Sequence, residues 1–143
     1  MAQRIGTARQ AQMALGIVRI VAGIIFMAHG YQKFFQTGIP GVTGFFGGLG
    51  IPLPGIAAPA VATVELVGGF LLAIGLFARF VAIPLVIDMA TAIALVHAPN
   101  GFFAPKGVEF VLLLMASAIA IAIAGAGAFS IDAATSRQSI RDT

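Results

Sequence analysis

At 143 residues the chain is about one domain long, and 59% hydrophobic against 9% charged residues excludes an ordinary soluble globule and points to an integral membrane protein. The formal charge of +3 does not mark a nucleic-acid binder: no basic patch is interleaved with aromatics, and most Lys and Arg lie outside or at the edges of the apolar runs. With no cysteine, the chain offers neither a disulfide nor a thiolate, so any redox role must use a bound cofactor, a substrate or a partner subunit.

Residues 1–11 are polar and carry Arg4 and Arg9, which predicts a short cytoplasmic tail or an interfacial helix. The apolar run that follows is too long for a signal-peptide core and contains Arg19, so an uncleaved signal anchor is expected. This first predicted span, residues 12–35, carries Arg19, His29 and Lys33. An Arg near mid-span costs roughly 2.5 to 3.5 kcal/mol unless it turns toward other helices or water. Gly16, Gly23 and Gly30 recur every seven residues beside a stripe of Arg19, Phe26 and Lys33. Close-approach sites and charge thus share the side expected to face the bundle.

Residues 37–55 hold seven glycines and Pro40, Pro52 and Pro54, a composition that predicts a loop. Its centre is expected either as a short helix dipping Phe45 and Phe46 into the interface or as a simple cover over the bundle. The second span, 57–77, contains Glu65 with Gly68 and Gly69. Arg79 lies in a connection so short that the third span, 80–98, must run back antiparallel. That span carries Pro84 and Asp88, ends with His97, and is stopped by Pro99, Asn100 and Gly101. The fourth span, 107–128, opens with Glu109, and a polar tail with Arg137 and Arg141 follows.

The expected fold is therefore all-α: a single membrane domain, a bundle of four transmembrane helices in two antiparallel hairpins, crossing a ~30 Å hydrocarbon core. Arg4, Arg9, Arg79, Arg137 and Arg141 stand against Lys33 and Lys106, a bias that puts both termini in the cytoplasm and the 37–55 loop on the far side.

Counting about 1.5 Å per residue from the span ends puts Arg19 at about 10 Å and Asp88 at about 12 Å from the same end, which predicts an Arg19–Asp88 structural ion pair. From the opposite end Glu65 lies at about 12 Å and His29 at about 8 Å, with Lys33, His97, Lys106 and Glu109 at the rim. Two histidines and two glutamates in that half form the chemistry-capable cluster. Bland readings stand beside it: a neutral Glu65 bonded to backbone, satisfied interfacial histidines, and a Glu109 that favours the helix dipole. Asp88 and His97 are nine residues apart, about 900° of helix, and so belong on opposite faces of an ideal helix. No helical Glu-x-x-His pair, Walker lysine or nucleophilic triad occurs, and no metal is expected. The halves echo each other: His29, Gly44-Phe45-Phe46 and Val64-Glu65 recur in order as His97, Gly101-Phe102-Phe103 and Val108-Glu109. Chance or shared interfacial composition competes with a real repeat whose two His and two Glu would converge on an axis along the membrane normal.

The combination of Arg19, Gly23, Phe26, His29-Gly30 and Lys33-Phe34 with Phe46 and Leu49-Gly50-Ile51-Pro52 resembles the DoxX family of small four-helix membrane proteins. Glu65 with Gly68-Gly69, Gly75-Leu76 before Arg79, His97, Gly101-Phe102-Phe103, Gly107 and Glu109, and the ending Gly125-Ala126-Gly127 with Ser130-Ile131-Asp132 extend the resemblance over residues 15–132. It implies association with membrane-bound oxidoreductase assemblies, thiosulfate-to-quinone electron transfer, quinone and catechol resistance, and oxidative-stress complexes with soluble enzymes. The cysteine-free chain does not suit sulfur chemistry on its own side chains. The resulting expectation is a subunit of a redox or quinone-detoxification system in the bacterial inner membrane. A quinone-like molecule would meet Glu65 and His29 as hydrogen-bonding or proton-exchanging groups, with Lys33, Phe46, His97 and Glu109 contacting it. Expected partners are the lipid bilayer, soluble redox enzymes and further copies of the chain, with no nucleic acid. The alternatives are a non-catalytic scaffold or assembly factor and an oligomeric small-molecule exporter.

Overall fold

The computed structural model describes residues 2–141, with side chains over residues 6–136. Met1, Asp142 and Thr143 lie outside the described residues, as do the side chains of Arg4, Arg137 and Arg141, on which the charge-bias argument partly rests. The described chain is helical, with no strand. Helix α1 (Ala2–Tyr31) continues through a π turn at Gln32–Gln36, and α2 (Ile39–Gly48) lies within the glycine- and proline-rich connection. Helix α3 (Pro54–Ile74) and helix α4 (Ala78–Asn100) follow, then a shorter apolar helix α5 (Glu109–Ala124) and the polar α6 (Ile131–Arg141).

Three helices are long and apolar enough to cross a membrane: α1 over Gly6–Gln36, α3 and α4. Their outer faces are apolar; Phe80 and Ile87 of α4 are 74% and 62% exposed, as suits a surface bathed in lipid rather than water. Phe26, Leu72, Leu85, Leu114 and Ile121 fill the interior between α1, α3, α4 and α5.

The seven-residue glycine pattern of α1 acts where expected. A Cβ on Gly23 would stand 2.5 Å from Ala73 N, and one on Gly69 would stand 2.3 Å from Met27 N, so α1 and α3 touch backbone to backbone. Gly30 sits against Leu66 while Gly23 sits against Ala73, so the two helices run antiparallel. The second and third spans are joined by the tight turn Gly75-Leu76-Phe77, in which Gly75 (φ 70°) and Phe77 (φ 52°) are left-handed.

Two expectations require correction here. Helix α5 spans 16 residues, about 24 Å of helix, where a span over residues 107–128 was expected. Gly107 belongs to a compact loop closed by Val108 N to Gly101 O, and Gly125 (φ 94°) unwinds the other end. The expected Arg19–Asp88 pair does not form. The Arg19 side chain lies beside Gly75, at the turn joining α3 to α4, whereas Asp88 is ten residues into α4, about 15 Å further along. Arg19 instead donates all five of its N–H groups to carbonyls: Nε to Ala126, Nη1 to Leu72 and Ala73, and Nη2 to Ala128 and Phe129. The estimate failed because the span ends are not level and because the 125–130 segment folds back into the bundle carrying carbonyls that replace a carboxylate.

That segment is tied down on both sides. Ala128 N donates to Gln12 O, and Asp132 N donates to Gly75 O. The Asp132 carboxylate accepts from Phe77 N and Ala78 N at 2.9 Å each, capping the otherwise orphaned start of α4.

Candidate functional site

At the end of the bundle opposite Arg19, a cavity of about 340 Å³ opens between the helices and is roofed by α2. That volume falls in the range that holds a small organic ligand. Its walls are apolar, with Phe26, Phe46, Phe110, Met89 and Leu114 among them, and its polar groups are few and clustered. Phe46 is 7% exposed and is anchored by Val42 and Ala58, so the short helix of the loop lays an aromatic wall over the cavity. Phe45 also lines it but is half exposed.

The polar cluster is built by helix register. Lys33 lies in the π turn of α1, Glu65 in the π turn of α3 at Val64–Gly68, and His97 in the π turn of α4 at Ile93–His97. A π turn accommodates one extra residue, which re-aims every side chain beyond it by about 100°. On α4 this settles the register conflict: nine residues containing one π turn advance by roughly 800° rather than 900°, so Asp88 and His97 fall about 80° apart. Both line the cavity. Sequence periodicity alone had placed them on opposite faces.

Lys33 Nζ and Glu65 Oε2 are 2.5 Å apart, an ion pair in which the Glu65 side chain is 5% exposed and that of Lys33 22%. Asp88 lies within hydrogen-bonding and Coulombic reach of Glu65, with Lys33 close by, and its Oδ2 is buried with no hydrogen-bond partner. Two carboxyls therefore face one ammonium. Inside a bilayer such a group reaches neutrality with one proton on the carboxyl pair, so the arrangement can hold and release a proton.

His29 is half buried, tilted against the Phe110 ring at a centroid distance of 6.0 Å, and close enough to Lys33 and Glu65 to feel both charges. The Nδ1 of His97 is 2.8 Å from Lys106 O. A carbonyl can only accept, so Nδ1 carries the hydrogen, and in the neutral ring Nε2 is left as an acceptor. Thr91, another lining residue, donates its hydroxyl to Ile87 O and can offer the cavity only lone pairs.

Of the residues expected at the site, His29, Lys33, Phe46, Glu65 and His97 line one cavity. Glu109 does not. Its Oε1 accepts from Ala104 N at 2.6 Å, holding the 101–108 loop, and its own N–H donates to Phe102 O. The echo between the halves therefore does not bring two His and two Glu to one axis, since Glu109 is directed into its own loop. Asp88 takes the place expected for Glu109. The depth counts contained that signal: Asp88 and Glu65, each about 12 Å from opposite faces of a ~30 Å core, both lie near its middle. Among the described residues, no three His, Cys, Asp or Glu gather as a metal set.

Comparison with known proteins gives this geometry a context. The family described as DoxX matches residues 14–98, which include α1, α2, α3 and most of α4, and the family described as TQO small subunit DoxD matches residues 58–141. The chain is 36% identical over 98 residues to the Bacillus subtilis protein named "Putative oxidoreductase CatD", covering 68% of this chain and 70% of that one. It is 37% identical over 103 residues to an uncharacterized Haemophilus influenzae protein, covering 69% and 73% of the two chains. It is also 37% identical over 94 residues to the uncharacterized membrane protein Rv3486 of Mycobacterium tuberculosis, covering 63% of this chain and 57% of that protein. No solved structure matches. The DoxX match takes in Arg19, the glycines that join α1 to α3, and the cavity residues from Phe26 to His97, and on that ground the chain belongs to the DoxX family.

Proposed function

We propose that this chain is a membrane subunit of a bacterial redox or quinone-detoxification system, and that the cavity binds a quinone-like ring. The observation that carries this reading is the conjunction of apolar, aromatic-walled space with the Lys33–Glu65–Asp88 cluster at its edge. A ring with oxygens at its rim suits such a space: its faces meet Phe46 and Phe110 and its oxygens meet the charged groups. Glu65 and His29 exchange protons or hydrogen bonds with it, Asp88 shares the proton of the pair, and Lys33 and His97 orient it.

In this reading α5 and the unwound 125–130 segment together make a fourth crossing. Arg19 supports this by satisfying the non-helical carbonyls there. Both termini lie in the cytoplasm of a cell whose inner membrane holds the protein; the Ala128–Gln12 bond supports this by putting the start of the first crossing and the end of the fourth at the same end of the bundle. Soluble redox enzymes and further copies of the chain are its partners. A non-catalytic scaffold is the second reading, favoured by the match to a family described as a small subunit.

The test uses protein purified in mild detergent and equilibrium dialysis with duroquinone and its hydroquinone. Saturable binding of one ring per chain is expected, weakened at least about tenfold in Glu65→Gln and His29→Ala, with a matching loss of cellular quinone tolerance. Binding and tolerance unchanged in both variants would sink the proposal. A stable co-purifying enzyme with no ring bound would favour the scaffold.

A further inference from the structure

The hydrogen-bonding groups around the cavity are not balanced between donors and acceptors. On the acceptor side stand Asp88 Oδ2, buried and unpartnered, the Nε2 of His97, whose Nδ1 hydrogen is engaged by Lys106 O, and Thr91 Oγ1, whose hydrogen is engaged by Ile87 O. Glu65, ion-paired through Oε2, adds further lone pairs. On the donor side stand the hydrogens that Lys33 does not give to Glu65 and one ring N–H of His29, which itself carries one acceptor as well; the one proton of the carboxyl pair is taken up in the hydrogen bond between Glu65 and Asp88. Four residues thus present acceptors without a free donor, among which Asp88 Oδ2 is the one buried atom with no partner, and one residue contributes donors alone.

A carbonyl oxygen can only accept. A dione placed here satisfies Lys33 but brings its lone pairs against those of Asp88, His97 and Thr91, and Asp88 Oδ2 stays unpaired. A phenolic hydroxyl both accepts and donates, so one group can accept from Lys33 and donate to Asp88 Oδ2. Leaving a buried acceptor unmet is more costly than making an average hydrogen bond is favourable, so the unpaired Asp88 oxygen weighs most in the balance. A site built around unmet polar groups also discriminates strongly against an isostere lacking the complementary hydrogen.

From this inventory we infer that the cavity selects the reduced, dihydroxylated form of an aromatic ring over the corresponding dione. The inference rests on the cavity being the ring-binding site proposed above and adds the oxidation state that it recognises. Asp88 is the residue that sets the preference, through a direct hydrogen bond from the ligand hydroxyl.

The experiment compares anaerobic binding of durohydroquinone, duroquinone and the dimethyl ether of durohydroquinone to the detergent-solubilised full chain. The ring methyl groups block addition of amines to the quinone, and the absence of cysteine removes the competing thiol reaction. Durohydroquinone is expected to bind at least about tenfold more tightly than either of the other two. Asp88→Asn, which adds two amide hydrogens in the same volume, is expected to bring that ratio close to one by improving binding of the dione. The variant's ratio of the two affinities is the readout, so a general loss of folded protein does not imitate the effect. Equal affinities in the unmodified protein, or tighter binding of the dione, would overturn the selectivity while leaving the cavity as a ring site. Failure of all three rings to bind would overturn both.

Discussion

Two buried charged clusters lie on the same helix, about 21 Å apart at 1.5 Å per residue from Arg19 to Lys33, and they differ in how completely they are satisfied. Arg19 is wholly buried and directs all five donors at five carbonyls from α3 and the 125–130 segment. Nothing is left over for a ligand. The Lys33–Glu65–Asp88 cluster keeps an unpaired carboxylate oxygen and adjoins a cavity. A saturated polar network locks structure, whereas an unsaturated one beside open space is poised for chemistry. The first ties α1 to the inter-helix turn and the C-terminal segment; the second lies where three π turns bring their side chains inward.

The sharpest way to break this contrast is Arg19→Met. Orphaned carbonyls cost about 1–3 kcal/mol each, so the substitution is expected to remove on the order of 5 kcal/mol or more. Size-exclusion chromatography in detergent should show loss of the monodisperse species. Arg19→Lys should recover little of it, because an ammonium has three donors for five carbonyls. If Arg19→Met keeps the wild-type Tm, the cage is not structural.

The next effect belongs to the other cluster. The double variant Glu65→Gln with Asp88→Asn leaves Lys33 without a counter-charge and should cost about 3–5 kcal/mol. Each single substitution should cost under about 1 kcal/mol, because the remaining carboxylate still faces Lys33. Thermal unfolding of the three variants measures this non-additivity. Additive losses would mean that Glu65 and Asp88 do not share the lysine.

Asp132→Ala should cost about 1–2 kcal/mol through loss of the cap on α4, with Asp132→Asn retaining part of it. Its effect on ring binding should be negligible, since Asp132 and the cavity lie at opposite ends of α4. The smallest stability change is expected for His29→Ala, within about 1 kcal/mol, since among the described residues no hydrogen bond depends on that ring. Its cost should appear in ligand affinity instead. A large Tm drop without an affinity change would reverse its assignment.

The two regions were unequally legible in the sequence. Hydropathy gave α1, α3 and α4, because lipid-facing helices must be apolar all along their length. The spacing of Gly16, Gly23 and Gly30 gave the face of α1 that meets its neighbours. His29, Lys33 and Glu65 could be grouped because simple depth counting works where helices start near the same plane. The Arg19 cage was not legible, since its acceptors are backbone carbonyls, two from the end of α3 and three from a segment more than a hundred residues away, and carbonyls have no sequence signature. Asp132 was hidden for the same reason, because the helix it caps begins over fifty residues earlier. His97 lines the cavity as expected, but its angle to Asp88 was misjudged by ideal α-helical arithmetic, which a single π turn displaces by about 100°. Glu109 was misplaced because the local fold of the 101–108 loop, which puts Ala104 N beside its carboxylate, is not written in periodicity.

On the proposed function the cavity beside Lys33, Glu65 and Asp88 holds a ring, while the Arg19 cage holds only its own chain. The most direct measurement is anomalous diffraction from crystals grown with 2,5-dibromohydroquinone. Bromine peaks between Phe46 and the Glu65–Asp88 pair are the expected result. Bromine confined to the lipid-facing surface, with the cavity free of it at saturating ligand, would contradict the claim.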